Sequence, residues 1–361
     1  MTKKPDKLFF GVVIGLTLFG FFIFSSAALG LVDRDSASFN LITVKQLVVL
    51  LIGFAAFLIV SRIDYRWWRA ASPYLFIAAV LATLLVFVPD IGLKAGGAYR
   101  WIKVGPFSIQ PSEFLKLAFV FYLAAFFAKS RDKIQQFRYG LLPFLILSGI
   151  VGILMVLQPD IDTLVIMLAA GVAMFYASGA RWRHLLVLLL IFLVAIGTVA
   201  IFKPYIIARV KTFLDRDQDV RGASYQINQS LIAIGSGGLY GRGFGQSIQK
   251  FQYLPEPIGD SVFSVASEEF GFLGSTVIVS AFLLFALAGM RIAVRAPTSF
   301  GRLVAVGIVI MIMTGTFINI ASMLGLIPLT GTPLLFISHG GTALLLALVE
   351  AGIILNISRQ T

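Results

Sequence analysis

The chain has 361 residues, 58% of them hydrophobic, with a mean hydropathy of +0.94 and a formal net charge of +12. A soluble domain of this length cannot hide that much apolar surface, so the solvent to reason about is a bilayer. The absence of cysteine removes disulfides, thiolate nucleophiles and Cys-ligated zinc, and the absence of HExxH and GxxxxGK[ST] removes a zincin site and any sign of nucleotide-driven chemistry.

Along the chain, apolar runs of about 20 residues recur, each long enough to cross a hydrocarbon core of about 30 Å. They predict ten spanning helices, at 8–31, 41–61, 71–89, 111–129, 141–158, 162–179, 184–203, 261–290, 302–324 and 341–358. Alternating strands of a membrane β-barrel are missing, so the expected fold is an all-α polytopic membrane protein, one domain over 1–361. The first run, Leu8 to Leu31, is too long for a signal-peptide core and lacks a small-residue cleavage site, so it is read as a span. With the amino terminus inside, the inner segments carry 16 of the 29 Lys and Arg, among them Lys3, Lys4, Lys7, Arg62 and Arg66. They carry only four of the 17 acids: Asp6, Asp64, Asp132 and Glu350. The net charge then lies on the cytoplasmic side, both termini are cytoplasmic, and the basicity needs no nucleic acid to explain it.

The outer half is charge-balanced. Its charges fall in the connection 89–111 and in a 58-residue extracytoplasmic loop, 203–260, between helices 7 and 8. Long connections in compact proteins are usually functional. The first of these leads into the fourth span as KAGGAYRWIKVGPFSIQPSEFLKLAFVFYLA. Gln110-Pro111-Ser112-Glu113 reads as a helix start, with Pro in the first turn, Ser112 as cap and Glu113 near the positive end of the dipole. Glu113 and Lys116 are three apart and can pair, either neutralising each other or forming a charged cavity wall; intramembrane charge is costly and calls for such a reason. Tyr99 and Trp101 read as interfacial aromatics, while Arg100 and Lys103 would suit a phosphate.

The turn LQPDIDT, 157–163, splits one apolar stretch into two at Pro159 and puts Asp160 and Asp162 at the outer surface, as turn residues or as metal or substrate ligands. The long loop contains YQINQSLIAIGSGGLYGRGFGQSIQK, 225–250, with glycines at 235, 237, 238, 241, 243 and 245. They permit close backbone approach but lack the strand and spacing of a dinucleotide fingerprint. Arg242 and Lys250 suggest that this run faces an anion, and Leu231–Ile234 reads as a membrane-surface piece.

The stretch YLPEPIGDSVFSVASEEFGF, 253–272, holds Glu256, Asp260, Glu268 and Glu269. At 100° per residue, Asp260, Ser261, Ser264, Ser267, Glu268, Gly271, Gly274 and Ser275 share one helical face, and Glu269 points away and needs its own partner. On an unbroken helix Asp260 and Glu268 would lie about 12 Å apart. That is too far for the paired carboxylates of a glycosidase, so a single carboxylate base fits better. Asp260 also reads as a helix N-cap, and Glu268 as a residue that lines or pairs within a cavity.

Five pieces in order resemble the SEDS family (shape, elongation, division and sporulation) of FtsW and RodA proteins: GGAYRWIKVGPFSIQPSEFLKLA, LQPDIDT, SYQINQSLIAIGSGGLYGRGFGQSIQKFQYLPE, the 253–272 stretch, and GLIPLTGTPLLFISHGGT at 325–342. GRGFGQSIQKFQYLPE is nearer the FtsW, or division, branch. The resemblance implies a multi-pass protein of the bacterial cytoplasmic membrane that polymerises lipid II, an undecaprenyl-pyrophosphate-linked disaccharide-pentapeptide, at the outer face. It also implies a class B penicillin-binding protein, a transpeptidase, as partner, and Asp260 as the essential acid after the Leu-Pro-Glu motif. The chain departs from the family at Ile258-Gly259 (usually His-Thr), Asp162 (an acid where the Gly after Gln-Pro-Asp is usual), His339 (usually Tyr) and Asp215-Arg216 (usually Asp-Pro).

The expected chemistry is an inverting transfer. Asp260 acts as general base on the acceptor hydroxyl, and Arg100, Lys116, Arg209, Lys211, Arg242 and Lys250 are candidates to hold the pyrophosphate. Glu113, Glu256, Glu268 and Ser338 complete the expected substrate-binding set. A divalent cation, Mg or Mn, with Asp260 as ligand could share the phosphate role, and no nucleotide is expected. A lipid II flippase and a non-catalytic scaffold for a transpeptidase are the alternatives.

Overall fold

The computed structural model describes residues 4–32, 36–95, 97–105, 107–215 and 223–360. Lys3, Gly96, Pro106 and Arg216, used above, lie outside the described residues. The helices in chain order are α1 (Lys7–Ala28), α2 (Ser36–Val60), α3 (Arg66–Leu84), α4 (Pro111–Lys129), α5 (Leu142–Leu157), α6 (Ile161–Ala177) and α7 (Trp182–Phe202), followed by α8 (Pro204–Leu214), α9 (Ala223–Ser236), α10 (Val262–Arg295), α11 (Ser299–Met323) and α12 (Gly341–Ser358). Among the described residues nine helices are long and apolar enough to cross a membrane. The tenth expected span, α6, has 17 residues and is roughly 25 Å long, because the turn at Pro159 sets its start.

α4, α11 and α12 form the packed centre: α11 lies against α4, α6 and α10, and α12 lies along α2. α7 sits at the rim with Leu186, Leu189, Leu190, Leu193 and Val194 exposed. An apolar exposed face of this kind suits lipid. Asp6 N donates to Ser358 Oγ at 3.1 Å, and Tyr65 N donates to Asn356 Oδ1 at 2.9 Å. The starts of α1 and α3 and the end of α12 therefore meet, so both chain termini lie at one end of the bundle.

The other end departs from an all-α reading. The connection into α4 folds as a three-stranded antiparallel sheet, β1 (Gly92–Ala95), β2 (Ala98–Val104) and β3 (Phe107–Ile109), in the order β1-β2-β3. Gly92 pairs with Ile102 and Ile102 with Ile109, and Gly97 and Gly105 supply the positive φ of the two turns. The strands are short enough that their alternation is lost beside the long apolar helices. Residues 203–260 are likewise more than a loop, since they contain α8 and α9.

α10 is broken where the sequence reads as continuous. Gly271 takes φ 65° and ψ −162°, and the Gly-rich run lies in the break. Arg242 N and Gly243 N donate to Glu268 O and Glu269 O at 3.0 and 2.9 Å; Phe272 N and Leu273 N donate to Gly238 O and Leu239 O at 2.9 and 3.2 Å. Irregular backbone inside an apolar bundle must be satisfied by protein, and this run does so. A Cβ on Gly271 would overlap Gly241 N and the Leu239 carbonyl, which explains glycine at both contacting positions.

Candidate active site

Asp260 precedes its helix rather than sitting on it. The N-cap position is Ser261, which makes no side-chain cap bond, and α10 begins at Val262. The expected capping role and the expected helical stripe through Asp260 are therefore corrected. The residue sits in a turn built on Glu256, whose carbonyl accepts from Gly259 N and Ser261 N at 3.1 and 3.2 Å. Three consecutive carbonyls of this turn are each held from elsewhere. Ile258 O accepts from His339 N at 2.7 Å, Gly259 O from Ser338 Oγ at 2.7 Å, and Asp260 O from Asn319 Nδ2 at 2.8 Å. Asn319 Nδ2 also donates to Thr332 O at 2.8 Å, and Ser338 Oγ accepts from Leu334 N at 2.9 Å. The backbone beneath the carboxylate is thus clamped to α11 and to the segment before α12.

The Asp260 side chain faces a cavity of about 150 Å³, with Arg100, Glu113, Lys116, Asp160 and His339 among its walls. Burial pushes its carboxyl up to about 7; Glu256 and Asp162 add to the rise, and Arg209 and Arg100 oppose it. Gly331 lies beside Oδ2, where a Cβ would stand at 3.6 Å.

Three of the expected cations are at or beside this space. Arg100, on β2, donates through Nε to Gln158 O at 3.0 Å and through Nη2 to Pro159 O, and its guanidinium is 3.9 Å from Asp160. It both braces the LQPDIDT turn and lines the cavity. Lys116 pairs with Glu113 at 2.9 Å on buried α4, with Glu350 of α12 and Asp160 within electrostatic reach. The start of α4 differs from the expected cap: Gln110 holds the N-cap position without a side-chain cap bond, and its Nε2 donates to Ser112 Oγ and Asp160 Oδ2. Arg209 of α8 reaches Asp162 Oδ2 at 3.5 Å, an oxygen that also accepts from Gly331 N at 3.3 Å.

Arg242, Lys250 and Glu268 belong elsewhere, in a second charged cluster that holds the 241–250 segment. Glu268 accepts from Ser247 Oγ at 2.6 Å, Ile248 N at 3.1 Å and Gln249 N at 3.2 Å, and pairs with Arg242 at 3.3 Å. Glu269 finds the partner its direction called for: Lys250 Nζ at 2.7 Å, with Ser26 of α1 bonded to both. The Lys250 side chain is 0% exposed, so its charge is spent on Glu269 and not on a phosphate. Lys211 is exposed on α8 and pairs with none of the described carboxylates. Ser338 is a buried staple for Gly259 rather than a cavity wall. Glu256 is exposed and acts on Asp260 through charge and through its carbonyl.

Asn319 and Thr332 were not singled out by the sequence, and Gln110 only as part of the expected helix start. A signal existed for Asn319, an amide in a span of mean hydropathy 2.3 that is fully buried and cannot go unpartnered. Among the described residues no group of three or more His, Asp or Glu converges on a point that a metal could occupy.

A polytopic helical bundle with one clamped carboxylate over a cation-lined cavity defines the class: a membrane-embedded protein with a charged site at one end of its bundle. The family model FTSW_RODA_SPOVE, described as a cell cycle protein, matches residues 6–361, and the chain belongs to that family. It is 39% identical over 362 residues to Stage V sporulation protein E of Bacillus subtilis, covering 100% of this chain and 99% of that one. It is 36% identical to a protein named "Probable peptidoglycan glycosyltransferase FtsW" from Geobacter sp. (strain M18), covering 98% and 97%. The fold matches a chain from a structure of a peptidoglycan synthase complex that coordinates polymerization and crosslinking, with TM-score 0.81, 26% identity and coverage of 99% and 98%. It also matches the rod shape determining protein RodA of Thermus thermophilus, with TM-score 0.72, 25% identity and coverage of 99% and 97%.

Proposed function

We propose that this chain is a peptidoglycan glycosyltransferase, a multi-pass protein of the bacterial inner membrane, and that it polymerises lipid II. The observation that carries the reading is Asp260: its three flanking carbonyls are fixed, and its carboxyl titrates near neutrality beside Arg100 and Lys116. A base works best with a pKa near the working pH, and a leaving pyrophosphate needs fixed positive charge.

In the proposed step the Asp260 carboxylate takes the proton of the acceptor GlcNAc 4-hydroxyl. The oxygen attacks C1 of the lipid-linked MurNAc on the face opposite the leaving group. The C1–O bond to pyrophosphate breaks, its electron pair leaves with undecaprenyl pyrophosphate, and the α linkage becomes β. Arg100, Lys116 and Arg209 meet the developing phosphate charge, and Asp260 then gives its proton to water. The end that carries β1–β3 and Asp260 faces outward, which leaves both termini, Arg62 and Arg66 on the cytoplasmic side. The whole chain acts as one domain, alongside a class B penicillin-binding protein that crosslinks the strands.

The buried side chains of α4, α11 and α12 beneath the cavity, Phe119, Val120, Ile308 and Ala351 among them, favour a polymerase over a carrier that must pass its cargo through. The test is purified protein with labelled lipid II, with and without the transpeptidase. Wild-type protein yields glycan polymer, and Asp260→Asn yields it at least about a hundred-fold more slowly. Polymer from the variant at wild-type rate sinks the reading, and lipid movement across liposomes without polymer replaces it with a flippase.

A further inference from the structure

The base and the cations leave one cavity wall without a task. His339 lines the same space as Asp260, and each of its other faces is fixed. Its ring stacks on Phe24 of α1 with centroids 5.8 Å apart. Its Nδ1 lies 3.0 Å from Gln46 Oε1 of α2. Gln46 Nε2 donates to Ser338 O at 3.4 Å, so the amide is oriented with its oxygen toward the ring. An amide oxygen only accepts, so the proton of a neutral imidazole must sit on Nδ1 and Nε2 must carry a lone pair. Nε2 makes no hydrogen bond among the described residues. Its own main chain is pinned by the bond from His339 N to Ile258 O, in the turn that carries Asp260.

We infer that His339 is a substrate-contacting residue whose unprotonated Nε2 accepts a hydrogen bond from a hydroxyl or amide N–H of the saccharide bound over Asp260. This rests on the glycosyltransferase reading and adds to it the group that orients the sugar beside the base. The charged groups around the ring are Lys45 on α2 and, across the cavity, Arg100, Glu113, Lys116, Asp160 and Asp260; α1 presents Phe24. Burial, with Lys45 adding to it, holds the imidazole below its ordinary pKa, so it is neutral where Asp260 is ionised.

The experiment measures initial polymerisation rates of full-length protein against lipid II concentration between pH 6 and pH 9. Loss of one hydrogen bond predicts that His339→Phe lowers kcat/KM about three- to ten-fold. His339→Gln, which places an acceptor within similar reach, stays within about two-fold of wild type by the same reasoning. Gln46→Glu sets a carboxylate against Nδ1 and favours the imidazolium, so Nε2 gains a proton. Activity then falls at neutral pH and recovers as rising pH strips that proton, and the new pH limb vanishes in the Gln46→Glu/His339→Gln double variant.

If wild type polymerises lipid II and His339→Phe matches its kcat/KM, the inference fails and the glycosyltransferase reading stands. If wild type makes no polymer, both fall. If His339→Phe does not fold, the other two variants decide: Gln46→Glu without the added pH limb overturns the inference.

Discussion

Two carboxylate clusters lie within fourteen residues of each other and are built on opposite plans. Glu268 and Glu269 are sunk in the bundle with every charge answered, by Arg242, Lys250, two serines and loop amides. Asp260 has its backbone bound at three points, while its carboxyl group is pushed up to about 7 by burial and by two like charges. A carboxylate whose lone pairs are all filled holds chain segments together; one whose scaffold is fixed but whose charge is uncomfortable is ready to take a proton. Composition cannot separate the two, because all four acids of the stretch look alike in sequence.

The sharpest way to break this contrast is Asp260→Asn. It is expected to lower polymerisation by about 10²- to 10⁴-fold, the range of a lost general base, with a thermal midpoint in detergent no lower than that of wild type, because the amide removes a charge that burial and two like charges disfavour. Lys250→Met should do the reverse. Stranding Glu269 as a buried unpaired charge costs about 3–5 kcal/mol, read as a lower melting temperature. Adding Glu269→Gln should recover much of that loss, and equal melting of Lys250→Met and wild type would show that the pair is not structural.

Asn319→Ala should reach the base indirectly, lowering kcat about ten- to hundred-fold through misplacement of the turn. The Asp260 carboxyl keeps its charged neighbours in that variant, so the pH midpoint is expected to hold. Glu256→Gln removes one of the like charges that raise Asp260. The carboxyl must be ionised to act, so kcat/KM rises with pH through about 7 in wild type, and its midpoint should move to lower pH in the variant. An unmoved midpoint would assign the titration to another group. The smallest effect belongs to Arg242→Gln. Its side chain is 37% exposed, and buried Glu268 keeps Ser247 Oγ and the Ile248 and Gln249 amides as donors, so the loss is about 1 kcal/mol, read as a small drop in melting temperature.

The sequence reading reached what local patterns encode. Hydropathy located the helices, the three-residue spacing found Glu113–Lys116, and the direction of Glu269 implied the partner that Lys250 provides. The resemblance singled out Asp260. What stayed hidden depends on contacts far apart in the chain. Asn319 and Ser338 meet the Asp260 turn from 59 and 79 residues away, and no periodicity announces them. In the Gly-rich run the sequence shows only that close backbone approach is allowed; its purpose, bridging the break at Gly271, appears once α10 is folded. Lys250 looked like a phosphate ligand because a sequence shows a charge but not whether it has been spent.

The clamp on Asp260 also bears on how the protein is made. Chains are synthesised and inserted from the amino terminus, and two of the three donors, Ser338 and the His339 amide, lie beyond α11, just ahead of α12. A nascent chain that has delivered α10 and α11 to the membrane already holds its aspartate and Asn319, but the turn is pinned at one carbonyl out of three. The segment before α12 is therefore needed to complete the clamp, and a chain truncated after α11 is expected to sit in the membrane without making polymer, as a polymerisation assay would show.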